Sequence, residues 1–221
     1  SFGGSVTSIS ANRITASGIE ENVSLGQVLR IAGDKLGEVV RISDCQTVIC
    51  PFEEDGDCKV GDAVFPDHFT ATKRDANWLG RSFDALGRPI NGLPAVDVAD
   101  AECTSLNPGN RPGVLNRARL NVPLKTGIKV IDIFTPICRG QRLGIFAGSG
   151  VGKSTLLSMM SRSDAFDVVV VALVGERSRE VREFLEDAIG TEGMKKTVAI
   201  IAPSDASAML RRRAPELALK V

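Results

Sequence analysis

The chain has no tyrosine, one tryptophan and one histidine among its 221 residues. His68, between Asp67 and Phe69, has no second imidazole with which to share a metal, so a histidine-built metal centre is excluded and a surface or interface place is expected for it. An excess of either charge is also missing, because 27 basic side chains face 27 acidic ones. That balance removes the concentrated basic surface by which nucleic acid or an anionic membrane is usually bound. No apolar run approaches the roughly 20 residues that span a bilayer, and no secretory leader is visible. The chain starts at Ser1, already inside an alternating pattern, and we expect that its beginning was trimmed. Cys45, Cys50, Cys58, Cys103 and Cys138 are odd in number and match no zinc or redox spacing, which leaves reduced thiols as the expected state.

What is present is a hydrophobic content of 43%, enough for one or two ordinary cores. From Ser5 to about Phe65 the chain alternates in short runs, Val6 to Ile9, Arg13 to Ser17, Val28 to Ile31 and Val39 to Ile49, separated by Gly26, Gly33-Asp34 and Asp55-Gly56-Asp57. Strands at this spacing predict a small closed or nearly closed β-barrel over residues 1–68. Asn22-Val-Ser24 has the form of a glycosylation sequon and is read as a turn.

From residue 69 onward the texture changes. A hairpin-like segment at Leu86 to Gly92 and a Pro/Asn/Gly-rich loop at Asn107 to Gly113 come first, and Thr126 to Asp132 leads on. Then come an apolar strand, a glycine turn, a helix, a strand at Val168 to Val174, a helix at Arg179 to Ile189 and a strand at Thr197 to Ala202. Such alternation implies a parallel sheet flanked by helices, so the fold class is α/β with an N-terminal all-β domain. In the second helix Val181, Phe184, Leu185 and Ala188 form the core stripe, and Gly190 is the natural stop. Arg211-Arg212-Arg213 reads as a solvated or subunit-facing surface, with a specific anion site as the alternative.

The chemistry concentrates in the glycine turn, Ala147-Gly148-Ser149-Gly150-Val151-Gly152-Lys153-Ser154, which follows the relaxed phosphate-loop pattern with alanine in first place. Its glycines let several backbone N–H groups converge on one anion. Lys153 brings a mobile cation to the β- and γ-phosphates, and the Ser154 hydroxyl is placed to ligate Mg²⁺. The helix that begins here adds the positive end of its dipole. Leu143 to Phe146 supply the expected preceding strand, and Leu156, Leu157, Met159 and Met160 the apolar face of the helix.

Hydrolysis needs a second group, one that orients water opposite the γ-phosphate. Ligands of open α/β sheets sit at the carboxyl ends of strands, and at the end of Val168 to Val174 stand Gly175, Glu176 and Arg177. A carboxylate there can accept a hydrogen bond from the attacking water. A structural ion pair of Glu176 with Arg177 or Arg179 is the competing reading.

Gly140-Gln141-Arg142 running into AGSGVGKST, followed by LVGERSREVREFLE, resembles the flagellum-specific ATPases of the bacterial type III export apparatus and, more broadly, the catalytic head subunits of rotary ATP synthases. SFGGSVTSISANRITASG is similar to that family's N-terminal barrel and LGRSFDALGRPINGLP to the start of its ATPase domain. Val151, where injectisome ATPases commonly carry cysteine, places the resemblance on the flagellar branch. Ser178 and Pro203 depart from the usual Gly and Thr of export relatives.

The resemblance implies a barrel at 1–68 and a RecA-like ATPase domain at 69–221, incomplete at its C-terminal end. It implies that Ala147 to Ser154 wrap the phosphates of ATP, that Thr155 lies beside them, that Glu176 activates water and that Arg177 reaches toward the γ-phosphate. It further implies Mg²⁺, a homohexameric ring, and partners among export regulator, stalk and gate proteins and the exported flagellar proteins. The location would be cytoplasmic, at the cytoplasmic face of the inner membrane, with peripheral membrane association. Because the Mg²⁺-holding aspartate strand, the arginine finger and the adenine pocket of such a domain are not found before Val221, we expect this piece alone to hydrolyse little ATP. An ATP synthase catalytic subunit and a nucleotide-binding but inactive ring subunit are the alternatives, the second disfavoured by the presence of Glu176.

Overall fold

A computed structural model describes residues 3–33, 35–53, 58–67, 78–90, 114–116, 119–148 and 150–221. The readings made above for His68, Cys103, Asn107 to Gly113 and Ser149 lie outside the described residues. The chain divides into two compact units, one containing Ser1–Lys73 and Ala206–Arg213, the other containing Arg74–Asp97, Ser105–Asp205 and Ala214–Val221.

In the first unit alternating apolar residues make six strands: β1 (Gly4–Ser10), β2 (Arg13–Ser17), β3 (Val28–Ile31), β4 (Lys35–Ser43), β5 (Gln46–Pro51) and β6 (Ala63–Pro66). They close into an antiparallel barrel in the order β1-β2-β5-β4-β3-β6, with β6 pairing back onto β1. Val6, Ile14, Leu29, Ile31, Ile49 and Val64 fill the interior. The single apolar run expected from Val39 to Ile49 is in fact a hairpin. Asp44 and Cys45 form its turn, with Ser43 paired to Gln46, and the register shifts between Val39 and Arg41, leaving Val40 as the outward residue of a bulge.

The Arg211–Arg213 run is corrected in part: Arg211 and Arg212 are exposed, as a solvated surface requires, but Arg212 and Arg213 both turn to one carboxylate within the unit. Glu38, only 5% exposed, accepts a hydrogen bond from the Arg212 guanidinium, Arg213 lies 3.7 Å from the same carboxylate, and the Arg213 guanidinium sits over the Phe52 ring. A buried carboxylate needs such partners, and they are supplied from the far end of the chain.

The second unit begins with β7 (Ser82–Asp84), whose Asp84 carboxylate accepts hydrogen bonds from the N–H groups of Leu86 and Arg88 and so builds the tight turn expected around Gly87. It continues through β8 (Pro123–Leu124), α1 (Lys129–Phe134), β9 (Ile137–Cys138), α2 (Lys153–Arg162), β10 (Val169–Val174), α3 (Ser178–Glu183), α4 (Gly190–Met194) and β11 (Thr197–Ala202). Of the last helix, α5 (Ala208–Lys220), the residues up to Arg213 belong to the first unit and those from Ala214 to the second. Strands β10, β11 and β7 form a parallel sheet in that order. Val198, Ala199 and Ile200 are almost wholly buried in its middle strand.

Three expectations are corrected here. Leu143 to Phe146 form no strand, and Phe146 is 96% exposed. A strand exists only with a ladder partner, and no described strand pairs with this segment. In α2 the fully buried residues are Ser158 and Ser161, while Leu157 and Met159 lie largely exposed; Leu156 and Met160 pack partly against Ile128, Ile131 and Ile137. Both serine hydroxyls donate to carbonyls of their own helix, at Thr155 and Leu157, which lets them be buried without loss.

The helix expected to stop at Gly190 instead passes through a π-helical turn, Phe184–Ile189, and resumes as α4. The wider turn carries the buried stripe from Val181 and Phe184 to Ile189, and Gly190, at φ 68°, makes the break by donating its N–H to the Leu185 carbonyl.

Candidate active site

The glycine turn leads directly into α2. Gly150 and Gly152 adopt φ of 77° and 96°, a left-handed backbone that side chains with a Cβ rarely enter, and Gly152 is the residue that caps the helix. Around Gly148, Gly150 and Gly152 the space a Cβ would occupy is open. Lys153 and Ser154 open the first turn of the helix, with Thr155 after them, and all three are exposed, as are Ala147 and Val151. The helix N-terminus therefore carries its N–H groups, one ammonium and two hydroxyls in solvent.

The second expected group stands at the carboxyl end of β10. Gly175, at φ 75°, turns the chain out of the sheet, and its N–H donates to the Ala202 carbonyl at 2.8 Å. Glu176 is half-buried, and its carbonyl accepts the Ser204 N–H at 2.9 Å. The alternative of a structural ion pair is not what forms: Arg177 faces Glu180 at 3.8 Å and Arg179 faces Glu183 at 3.5 Å. Among the described residues Lys153 and Glu176 carry no ion pair. Arg177 is exposed on the first turn of α3, engaged along its own helix.

Anion and cation chemistry fit this donor set. Main-chain N–H groups at a helix N-terminus with an adjacent lysine suit a polyphosphate, and a hydroxyl at Ser154 suits the oxygen preference of Mg²⁺. A separate cleft of about 580 Å³, lined by residues including Lys125, Thr126, Gly127, Arg162 and Ser163, lies at the opposite end of α2 and is not the phosphate loop.

One cluster escaped the sequence reading. The Asp132 carboxylate accepts the N–H and hydroxyl of Thr126 through one oxygen and the N–H of Gly127 through the other, at 2.8–2.9 Å. These bonds, the Thr126 hydroxyl foremost, hold its carboxyl below the usual carboxylate range. The signal was the Thr-Gly turn followed by an acid on the next helix, which the reading passed over as a lead-in to the loop.

Comparison with known proteins locates this architecture. Residues 127–221 match the ATP synthase alpha/beta family, nucleotide-binding domain. The chain is 46% identical to the flagellum-specific ATP synthase of Agrobacterium fabrum over 99% of its own length and 46% of that protein's, and equally identical to that of Rhizobium meliloti. Among solved structures, the assembled type III secretion ATPase EscN of enteropathogenic E. coli, in complex with its central stalk EscO, superposes with a TM-score of 0.85 at 32% identity, covering 98% of this chain and 53% of EscN. The chain thus spans about half the length of the relatives it matches. Along nearly all of its own length it is a homologue of the flagellum-specific ATP synthases, with residues 127–221 matching the nucleotide-binding domain of the ATP synthase alpha/beta family.

Proposed function

We propose that the chain is part of an ATP-hydrolysing subunit of the flagellar type III protein export apparatus, with a barrel domain at 1–68 and a P-loop domain at 69–221. The observation that carries the reading is the glycine turn at the head of α2, exposed at its described residues, in one unit with a carboxylate at the end of β10 that is paired with neither Arg177 nor Arg179. Backbone N–H groups of residues 147–154 hold the phosphates, Lys153 offsets their charge, and Glu176 accepts the hydrogen bond of the attacking water. Mg²⁺, when bound beside the Ser154 hydroxyl, neutralises charge on the terminal phosphates. Arg177 reaches the γ-phosphate region after leaving Glu180, a rim contact that holds it weakly.

Homohexamer formation and a stalk partner are supported by the assembled EscN and its stalk EscO. From the similarity to flagellum-specific ATP synthases we further propose a regulator, gate proteins and exported flagellar proteins as partners, and work at the cytoplasmic face of the inner membrane. No described helix is long and apolar enough to cross a membrane, so association there would be peripheral.

The test is binding of a fluorescent ATP analogue in the presence of Mg²⁺. Wild-type chain is expected to bind, and Lys153→Ala to lose at least about tenfold in affinity, since it removes the only side-chain cation of the loop. Equal affinity of the two proteins would remove the phosphate loop from the function.

A further inference from the structure

Resting on the phosphate-loop reading, we infer that Ser163, held through Thr126 by Asp132, is a positioning residue that sets where Lys153 stands. The loop has little else to fix it. Residues 141–148 join no described ladder, so among the described elements α2 is the one that leads directly out of the glycine turn and carries its position. Along its sides α2 presents the partly buried Leu156 and Met160 and the small buried Ser158 and Ser161, and it also packs against the π-helical turn Phe184–Ile189; these contacts carry no directional bond along the helix axis.

The C-terminal end is different. The Ser163 hydroxyl, at the C-cap, donates to the Thr126 carbonyl at 2.5 Å and accepts the Ala165 N–H at 3.2 Å. Thr126 is itself clasped by Asp132, and its hydroxyl also receives the Ile128 N–H at 3.1 Å. From the opposite side Lys196 donates to the carbonyls of Ser163 and Phe166 at 2.6 and 3.2 Å, placing a cation at the negative pole of the helix. Directional bonds thus pin one end of a rigid rod of ten residues, about 15 Å long, whose other end carries Lys153. Axial play at Ser163 is transmitted whole to the phosphate loop.

The test compares affinity for a fluorescent ATP analogue with thermal melting in the 221-residue chain. Ser163→Ala is expected to weaken binding by about tenfold while Ser163→Thr, which keeps the hydroxyl, retains it. Ile200→Val, a core change in β11 remote from the clasp, serves as the control for stability alone. Lys196→Gln is a second variant on the same pin, should Ser163→Ala melt too low to be titrated. The inference is overturned if both pin variants bind as wild type does, or lose no more affinity than Ile200→Val at a comparable melting shift. If instead wild type and Lys153→Ala bind alike, the phosphate-loop reading fails and this inference with it. Loss in the pin variants with rescue by threonine supports it.

Discussion

The Ser204 N–H donates to the Glu176 carbonyl at 2.9 Å, and this bond ties down the Glu176 backbone while its carboxylate stays out of any ion pair with Arg177 or Arg179. A group so held is placed to work rather than to stabilise. Glu176→Gln is therefore expected to leave folding and nucleotide binding near wild type and to cut ATP turnover of the assembled protein by about 10²-fold or more. Steady-state phosphate release alongside analogue binding checks it, and undiminished turnover would take Glu176 out of the mechanism.

Gly152→Ala probes the turn itself. Open space surrounds the position, so no clash arises, but φ of 96° costs an alanine roughly 1–2 kcal/mol of local strain. The expected result is a folded protein whose phosphate loop is displaced and whose affinity for ATP falls about tenfold. Circular dichroism and titration separate the two effects.

Glu38 offers the opposite case, a charge kept for architecture. With its side chain 7% exposed and that of Arg213 11% exposed, truncating Glu38→Ala removes a buried carboxylate that Arg212 and Arg213 share and opens a void in its place. We expect a loss of about 3 kcal/mol in denaturant unfolding, partly recovered in the double variant Glu38→Ala/Arg213→Met. A loss below about 1 kcal/mol would place the pair among ordinary surface bridges.

The Asp132 clasp predicts an acid limit. Hydrogen bonds from Thr126 and Gly127 lower its folded-state pKa beneath the ordinary 3.8, so the stability it contributes is fully present above that value. That stability is lost as pH falls through the lower folded-state value. Asp132→Asn should accordingly narrow its stability deficit relative to wild type as the pH is taken below about 3.8, and show its full deficit at neutral pH. A deficit that does not change with acidification would contradict the clasp.

Much of this was legible where the signal was local. Alternation in residues 6–17 and 28–31 marks strands because a barrel wall has one dry face, and the glycines at 150 and 152 mark a backbone that only glycine adopts freely. Thr197–Ala202 is read directly because a strand covered on both faces is apolar throughout, and Val169–Val174 by its β-branched composition. What failed depends on distant partners. Leu143 to Phe146 have the composition of a strand but no described neighbour to pair with. The buried side of α2 is serine because hydroxyls can bond back to their own helix, which a hydrophobicity pattern does not register. The π-helical turn at Phe184–Ile189 shifts the stripe by one residue, a displacement invisible to a fixed period.

The Arg211–Arg213 run shows the same limit from another side. Nothing adjacent in the chain announces that Glu38, 174 positions earlier, receives Arg212. Likewise α5 runs from Ala208 to Lys220 with Pro215 inside it, where local propensity argues for an interruption. Ala214 and Leu217 are buried in that helix, and their burial offsets the missing backbone bond.

The closed barrel has a temporal consequence. All six of its strands are drawn from Gly4–Pro66, so ribosomal synthesis delivers a complete cylinder long before the arginines that neutralise its acidic residue have been translated. Until Arg212 and Arg213 emerge, Glu38 of the nascent cylinder has to keep its contact with water, and its burial waits on residues made well after the barrel strands.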